Sequence, residues 1–293
     1  ENGHVQIVQT LLTRDDIDVN KPEEDGCTPL WMASSWGHVQ IVQTLLARDD
    51  IDVNKPQKDG VTPLYAASEK GHVQIVQTLL TRDDIDVNKS SNEEVTPLFM
   101  AAQQGHVQIV RTLLTRDDID VNKPRTIDGS TPLFTACQND HVQIVQILLT
   151  KDDIDVNKPQ EGSECTPLYA AAQEGHVQIV QALLTRADID VNKPHHEDES
   201  TPLCMASSKG HVQIVQALLT KDDIDVNKHN KKNTTPLNTA SNKGYVEVVR
   251  LLLSHPNIDL NKKDDWGTTA LGIAKEKKHN TDVVQLLTEA GAQ

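Results

Sequence analysis

Apolar and polar positions alternate along this chain in two recurring texts. In the first, Val5, Ile7, Val8, Leu11 and Leu12 are apolar, while Gln6, Gln9 and Thr10 between them are polar. Spacings of three and four residues predict an amphipathic helix. Val5, Val8 and Leu12 form one expected apolar line, and Ile7 with Leu11 forms a second beside it. Such a wide stripe can touch a partner helix and a neighbouring copy together. Arg14 places a cation in the predicted last turn, where it favours the helix dipole. The segment then leaves through Asp15-Asp16-Ile17-Asp18-Val19-Asn20 into a polar loop. The second text begins at Thr28-Pro29-Leu30. Thr28 is a good N-cap and Pro29 suits the first helical position, where no N–H is needed. Leu30, Ala33 and Ser34 give this helix a small apolar face, and Gly37 is expected to end it in the left-handed conformation.

Both texts repeat through the whole chain. The first recurs around His4, His38, His72, His106, His141, His176 and His211, with Tyr245 in the eighth copy, at steps of 34 or 35 residues. The second recurs from Thr28, Thr62, Thr96, Thr131, Thr166, Thr201 and Thr235, and relaxes to Thr-Ala-Leu at Thr269. Arg48, Arg82, Arg116, Lys151, Arg186 and Lys221 repeat the cation of Arg14. A period in this range predicts a stack of helix pairs, each burying its apolar face only against its neighbours. The predicted class is an all-α solenoid with one array over 1–293. Its expected units are a partial repeat 1–22, repeats 23–56, 57–90, 91–125, 126–160, 161–195, 196–229 and 230–263, and a capping repeat 264–293.

These residues resemble the ankyrin repeat. The family pattern appears as Gly60-Val61-Thr62-Pro63-Leu64, Ala66-Ala67, Gly71-His72, Ile75-Val76, Leu79-Leu80 and Asp86-Val87-Asn88. The resemblance implies an ankyrin-repeat α-solenoid with a helix–turn–helix and a finger loop in each repeat. Three departures stand out. The helix exit is one residue longer than the family's form. The Gly two places before Thr becomes Glu94, Glu164, Glu199 or Asn233, so those loop tips are expected to differ in shape. The family His after Thr-Pro-Leu becomes Trp31, Tyr65, Phe99, Phe134, Tyr169, Cys204 and Asn238. At the start, a second helix stands without a first, so Val5, Val8 and Leu12 are expected to lack part of their cover. The array is expected to extend upstream of Glu1, and that open end could support end-to-end contact of an otherwise monomeric chain. At the other end, Lys275-Glu276-Lys277-Lys278 and Thr288 give a polar capping repeat.

The copies also compare themselves. The second-helix text barely changes, whereas the loops and the pair before Gly-His change freely. In arrays that this chain resembles, those zones line the concave face, where partners bind. The candidate partner-binding residues are therefore Cys27, Trp31, Ser35, Trp36, Val61, Tyr65, Glu69, Lys70, Val95, Phe99, Gln103 and Gln104, followed by Phe134, Gln138, Asn139, Tyr169, Gln173, Glu174, Ser208, Lys209, Asn242 and Lys243. Packing between repeats competes with ligand contact for the aromatic run Trp31, Tyr65, Phe99, Phe134 and Tyr169. Trp36 is expected at the surface, where a Trp can act as a hot spot. Charge changes sign along the face, from Glu161, Glu164, Glu174, Glu197, Asp198 and Glu199 to Lys209, Lys231, Lys232, Lys243, Lys262 and Lys263. A partner with basic and acidic segments in matching order would complement it.

Composition narrows the classes. A formal net charge of −15 argues against nucleic acid as a partner. No apolar run approaches the roughly 20 residues that span a bilayer. Cys27, Cys137, Cys165 and Cys204 fall at no shared repeat position and form no CxxC, which points to free thiols and a cytoplasmic, reducing setting. No catalytic motif occurs, and an open repeat face gathers no convergent groups, so the chain reads as no enzyme, with no cofactor. The repeated Asp and His ladders place equivalent groups about 10 Å apart, too far for a metal site. His195-His196 beside Glu197 is at most an adventitious metal contact. Asn20, Asn54, Asn88, Asn122, Asn157, Asn192 and Asn227 match a position that asparaginyl hydroxylases modify in some ankyrin arrays; the alternative is that they brace the loop. The functional expectation is a scaffold that binds a protein or peptide. The alternatives are a targeting arm of a larger enzyme or channel, or an idealised engineered array.

Overall fold

A computed structural model describes residues 4–14, 16–277 and 280–293. Gly3 of the opening motif, Asp15 of the exit loop and Lys278 of the polar last repeat lie outside the described residues. Among the described residues there are 17 helices and no strand. In chain order they are α1 (Val5–Leu12), α2 (Pro29–Ser35), α3 (Val39–Leu46), α4 (Pro63–Lys70), α5 (Val73–Leu79), α6 (Pro97–Gln103), α7 (Val107–Leu113) and α8 (Pro132–Gln138). They continue with α9 (Val142–Leu148), α10 (Pro167–Glu174), α11 (Val177–Leu183), α12 (Pro202–Lys209), α13 (Val212–Leu218), α14 (Pro236–Lys243), α15 (Val246–Leu253), α16 (Ala270–Glu276) and α17 (Thr281–Glu289). Even-numbered helices are the first of each pair and odd-numbered ones the second.

The chain forms two compact units: Glu1–Ala136 with Thr150–Ile154, and Cys137–Leu149 with Asp155–Gln293. Within the first, α2 packs on α4 and α4 on α6, while α1, α3, α5 and α7 form a parallel row. Within the second, α10, α12, α14 and α16 make one row and α9, α11, α13, α15 and α17 the other. Helices this short are marginal alone in water, so the rows must hold one another.

Each first helix starts as expected. Thr62 Oγ1 accepts from the Tyr65 N–H at 3.1 Å, and Thr96, Thr131, Thr166, Thr201 and Thr235 repeat the bond. A buried Thr cap of this kind contributes about 1 kcal/mol. Gly37, Gly71, Gly175, Gly210 and Gly244 follow the first helices at φ between 73° and 84°. Asp140 takes the same left-handed turn at φ 58° where its copy lacks this Gly. The Gly has a second reason to stay: a Cβ on Gly71 would lie 2.9 Å from the His106 ring.

That ring is one of three staples between successive copies. His72 Nε2 donates to the Ser35 carbonyl at 3.1 Å and His106 Nε2 to that of Glu69 at 3.0 Å. In the second unit, His176 and His211 do the same to Gln138 and Gln173. Asn280 replaces His in the last copy, donating to the Ser241 carbonyl at 2.6 Å. The loop Asn is the second staple. Asn54 Nδ2 donates to the Asp84 carbonyl at 2.7 Å, and its Oδ1 accepts from the Asp86 N–H at 2.8 Å. Asn20, Asn88, Asn157, Asn192 and Asn227 make both bonds at equivalent positions, and Asn122 donates to the Asp153 carbonyl.

The third staple corrects the expected role of the cation. Arg48 and Arg82 lie beyond the ends of α3 and α5, outside the last turn. Their guanidinium groups reach back to the carbonyls of Leu12 and Leu46, which end the preceding second helices, both at 3.4 Å. Arg186 and Lys221 do likewise to Leu149 and Leu184. Each therefore serves the dipole of its neighbour.

Burial also corrects the expected apolar lines. In α5 the side chains with no exposed surface are Ile75, Val76 and Leu79, which share one face at spacings of one, three and four, while Val73 and the following Leu80 stay half-buried. The equivalent Ile7 and Leu11 of α1 are 57% and 46% exposed. Ile7 and Leu11 thus lack cover, and Val8 lacks part of it, half-buried where Val42 and Val76 are fully buried, whereas Val5 and Leu12 are as half-buried as their counterparts Val39 and Leu46.

Candidate functional site

The expected binding surface is the face made by the finger loops and the first helices. Its geometry is set by the loops. In the first unit, Gly60 N–H bonds back to the Gln57 carbonyl at 2.9 Å, closing a tight turn, and the Asn92 N–H reaches across to the Asp59 carbonyl at 2.9 Å. In the second unit, His196 N–H donates to Ser163 and Lys231 N–H to Asp198, at 2.9 and 2.8 Å. Successive fingers are therefore tied tip to tip by backbone bonds, and their side chains project from a fixed frame.

The tips without Gly keep its left-handed residue but close in two sizes, the Glu94 N–H bonding to the Ser91 carbonyl three residues back and the Glu199 N–H to that of His195 four back. Glu94, Glu164, Glu199 and Asn233 stand at φ 56°, 53°, 56° and 53°, the same left-handed region as Gly26 and Gly60. The turn hydrogen bonds require that conformation, so the Glu residues carry the backbone strain that Gly avoids. Gly60 cannot share the substitution: a Cβ there would meet the Asn92 backbone N at 2.6 Å.

The candidate residues divide by exposure. Tyr65, Phe99, Phe134 and Tyr169 are at most 9% exposed, and Val95 is buried with them; these side chains pack between repeats and offer a partner little surface. Their burial corrects the expected surface, and the reason is size, since a ring at this position fills the gap between successive first helices. Arg125 lies over the Phe99 ring at 5.2 Å and pairs with Asp128, and His195 stacks on Tyr169 at 5.0 Å. Burial pushes the Tyr65 hydroxyl up to about 12, so it stays protonated. Trp31, Cys27 and Val61 are half-buried.

Trp36 is exposed, as expected. It lines a slot of about 450 Å³ with Ile7, Pro29, Met32 and His38, beside α1 rather than between fingers. The candidate side chains that are exposed lie at the C-terminal ends of the first helices. In the first unit these are Lys70 and Gln104, with Glu69 and Gln103 half-buried beside them. In the second they are Gln138, Asn139, Glu174, Lys209, Asn242 and Lys243, with Gln173 and Ser208 half-buried. Ser35 is half-buried next to Trp36.

The charge pattern is partly spent on structure. Lys262 Nζ donates to the Asn227 carbonyl at 3.1 Å and Lys231 Nζ to that of His196 at 3.0 Å. Asp198 accepts from the Ser200 N–H at 3.0 Å and from its hydroxyl at 2.7 Å, building its own turn. Lys55, Lys123, Lys193 and Lys228 repeat the Lys262 bond, a use of the Asp-Val-Asn-Lys text that its sequence alone does not disclose. The other exposed charges among those expected on the face are Glu161, Glu164, Glu174, Glu197 and Glu199 against Lys209, Lys232, Lys243 and Lys263. Among the described residues, no helix is long and apolar enough to cross a membrane.

Comparisons with known proteins agree with this architecture. A family model described as ankyrin repeats, three copies, matches residues 1–57, 50–125, 98–195, 153–230, 187–264 and 223–293. The crystal structure of the human ASB11 ankyrin repeat domain is similar, with a TM-score of 0.62 and 27% sequence identity over 79% of this chain and 99% of that one. No curated protein matches the chain.

Proposed function

The chain belongs to the ankyrin repeat family, whose repeats are in general protein–protein interaction modules, and from that premise we propose that it is a non-catalytic scaffold binding a protein or peptide across its finger loops and first helices. One observation carries the proposal. The parts that change least between copies are the parts hydrogen-bonded to a neighbouring copy: the His, the loop Asn and the Arg. The parts that change most, such as Lys70, Gln104, Glu174, Lys209 and Asn242, are exposed at or near the C-terminal ends of the first helices. A face whose frame is held rigid presents varied side chains at little ordering cost on binding. The four cysteines stand as free thiols, which supports an intracellular setting.

The test uses the whole chain as bait for affinity capture, then measures the identified partner by calorimetry against two sets of variants. One set changes Lys70, Gln104, Glu174, Lys209 and Asn242 singly to Ala. The other changes Gln74 and Gln108, which are exposed on second helices, to Ala. Weakening of about tenfold or more is expected from members of the first set, since hot spots cluster. Equal weakening by the second set, or none by the first, overturns the proposal.

A further inference from the structure

One position changes size systematically along the array. After Thr-Pro-Leu stand Trp31, Tyr65, Phe99, Phe134 and Tyr169, then Cys204, Asn238 and, after Thr-Ala-Leu, Gly272. The rings pack between successive first helices, and the last members of the series are smaller. Between α14 and α16, beside Asn238, a cavity of about 540 Å³ opens. Its wall includes Asn238 and Asn242 from α14, Trp266 from the finger, and Ile273, Glu276 and Lys277.

Asn238 is 1% exposed, yet one of its polar atoms has no partner. The Thr235 hydroxyl accepts from the Asn238 backbone N–H at 3.1 Å and donates to its Oδ1 at 2.6 Å. That pairing fixes the amide orientation and leaves Nδ2 without a hydrogen-bond partner. A buried donor in this state is costly until an acceptor reaches it. Trp266 gives the second, independent sign. Equivalent finger positions carry Asp25, Asp59, Glu93, Asp128, Ser163, Asp198 and Lys232. Here a Trp stands 70% exposed, with Lys232 Nζ 6.0 Å from its ring. A large amphipathic ring beside an orphaned donor is the composition of an interface anchor.

Resting on the face reading above, we propose that this cavity is the anchoring pocket of the partner-binding face, and that it takes a neutral peptide group. A peptide carbonyl oxygen accepts from Asn238 Nδ2, and an adjacent apolar side chain or proline ring packs on Trp266. Neutrality follows from the balanced charge around the pocket, where Lys232 and Lys277 are opposed by Asp264 and Glu276. Neither a carboxylate nor an ammonium group gains a net counter-charge there.

The probe is a phage-displayed library of random twelve-residue peptides, selected on the whole chain and then measured as free peptides. The variants are Trp266→Ala, Asn238→Leu, and the double change Lys70→Ala with Gln104→Ala. Selected peptides are expected to share an apolar or proline residue and to lose about tenfold or more in affinity on Trp266→Ala and on Asn238→Leu. The double variant is expected to leave that affinity within about threefold of the parent. Asn238→Leu also removes the orphaned donor, so its urea midpoint should equal or exceed the parent's. Should Leu fail to fit, Trp266→Ala, at an exposed site, still decides. Peptides lost only on the double variant overturn the pocket and leave the face reading standing. Peptides indifferent to every variant overturn both. Selected peptides that all require an acidic or basic residue overturn the neutral class.

Discussion

Replacing Asn54 by Ala tests whether the loop asparagines hold the stack together. The change removes two bonds to the next copy, Nδ2 to the Asp84 carbonyl at 2.7 Å and the Asp86 N–H to Oδ1 at 2.8 Å. The bond from the Asn54 N–H to Asp52 is untouched, because it uses the backbone. A net contribution of about 0.5–1.5 kcal/mol per bond gives about 1–3 kcal/mol for the pair. Asp84 and Asp86 are exposed. Water can therefore replace the lost partners, which places the expectation at about 1–2 kcal/mol. Urea unfolding followed by far-ultraviolet circular dichroism should show a lower midpoint with an unchanged slope. Asn54→Asp gives a second handle. It keeps an acceptor for Asp86 but sets a carboxylate oxygen against the Asp84 carbonyl, so at neutral pH it should lose at least as much as the Ala variant. Repulsion raises the folded-state pKa of that new carboxyl above its unfolded value. The folded state then binds the proton more readily, so the deficit should shrink as pH falls through the raised value. A midpoint for Asn54→Ala equal to the parent's, together with an Asp variant whose deficit ignores pH, would refute the bracing role.

Two further outcomes follow from the same geometry. Glu94→Gly should stabilise the chain by about 0.5–1 kcal/mol, since left-handed strain of about 1–2 kcal/mol is relieved while Gly forfeits part in unfolded-chain entropy. Glu94→Ala, which keeps a Cβ at φ 56°, should not, and a gain in thermal midpoint from Ala as large as from Gly would count against the strain. With a thiol reagent at mildly alkaline pH, Cys27 should react first and Cys137 and Cys204 only on unfolding. Burial pushes the Cys204 thiol up to about 11 and the Cys137 thiol further, whereas Cys27 is half-exposed. Native labelling of Cys137 at the rate of Cys27, read by peptide mapping, would contradict the packing around α8.

The one-dimensional part of this protein was legible from its residues. Thr28-Pro29 as cap and first turn, the left-handed Gly37 and the helix pair all follow from local rules that need only near neighbours in sequence. A 34- or 35-residue period written in nearly constant text determines the stacked fold as well, because each copy must meet an equivalent surface. Tertiary structure alone decided what depends on the next copy. Arg48 looks in sequence like a cap for its own helix, and only the stack shows that it reaches Leu12. Phe99 and Trp266 are both aromatic residues in variable text, yet one is buried and the other exposed, because a ring between first helices fills a gap while a ring at a finger tip meets solvent. The orphaned amide of Asn238 is equally invisible beforehand. Its state depends on the Thr235 hydroxyl holding its Oδ1 and on which groups of the next repeat stand beside it, relations that only packing decides.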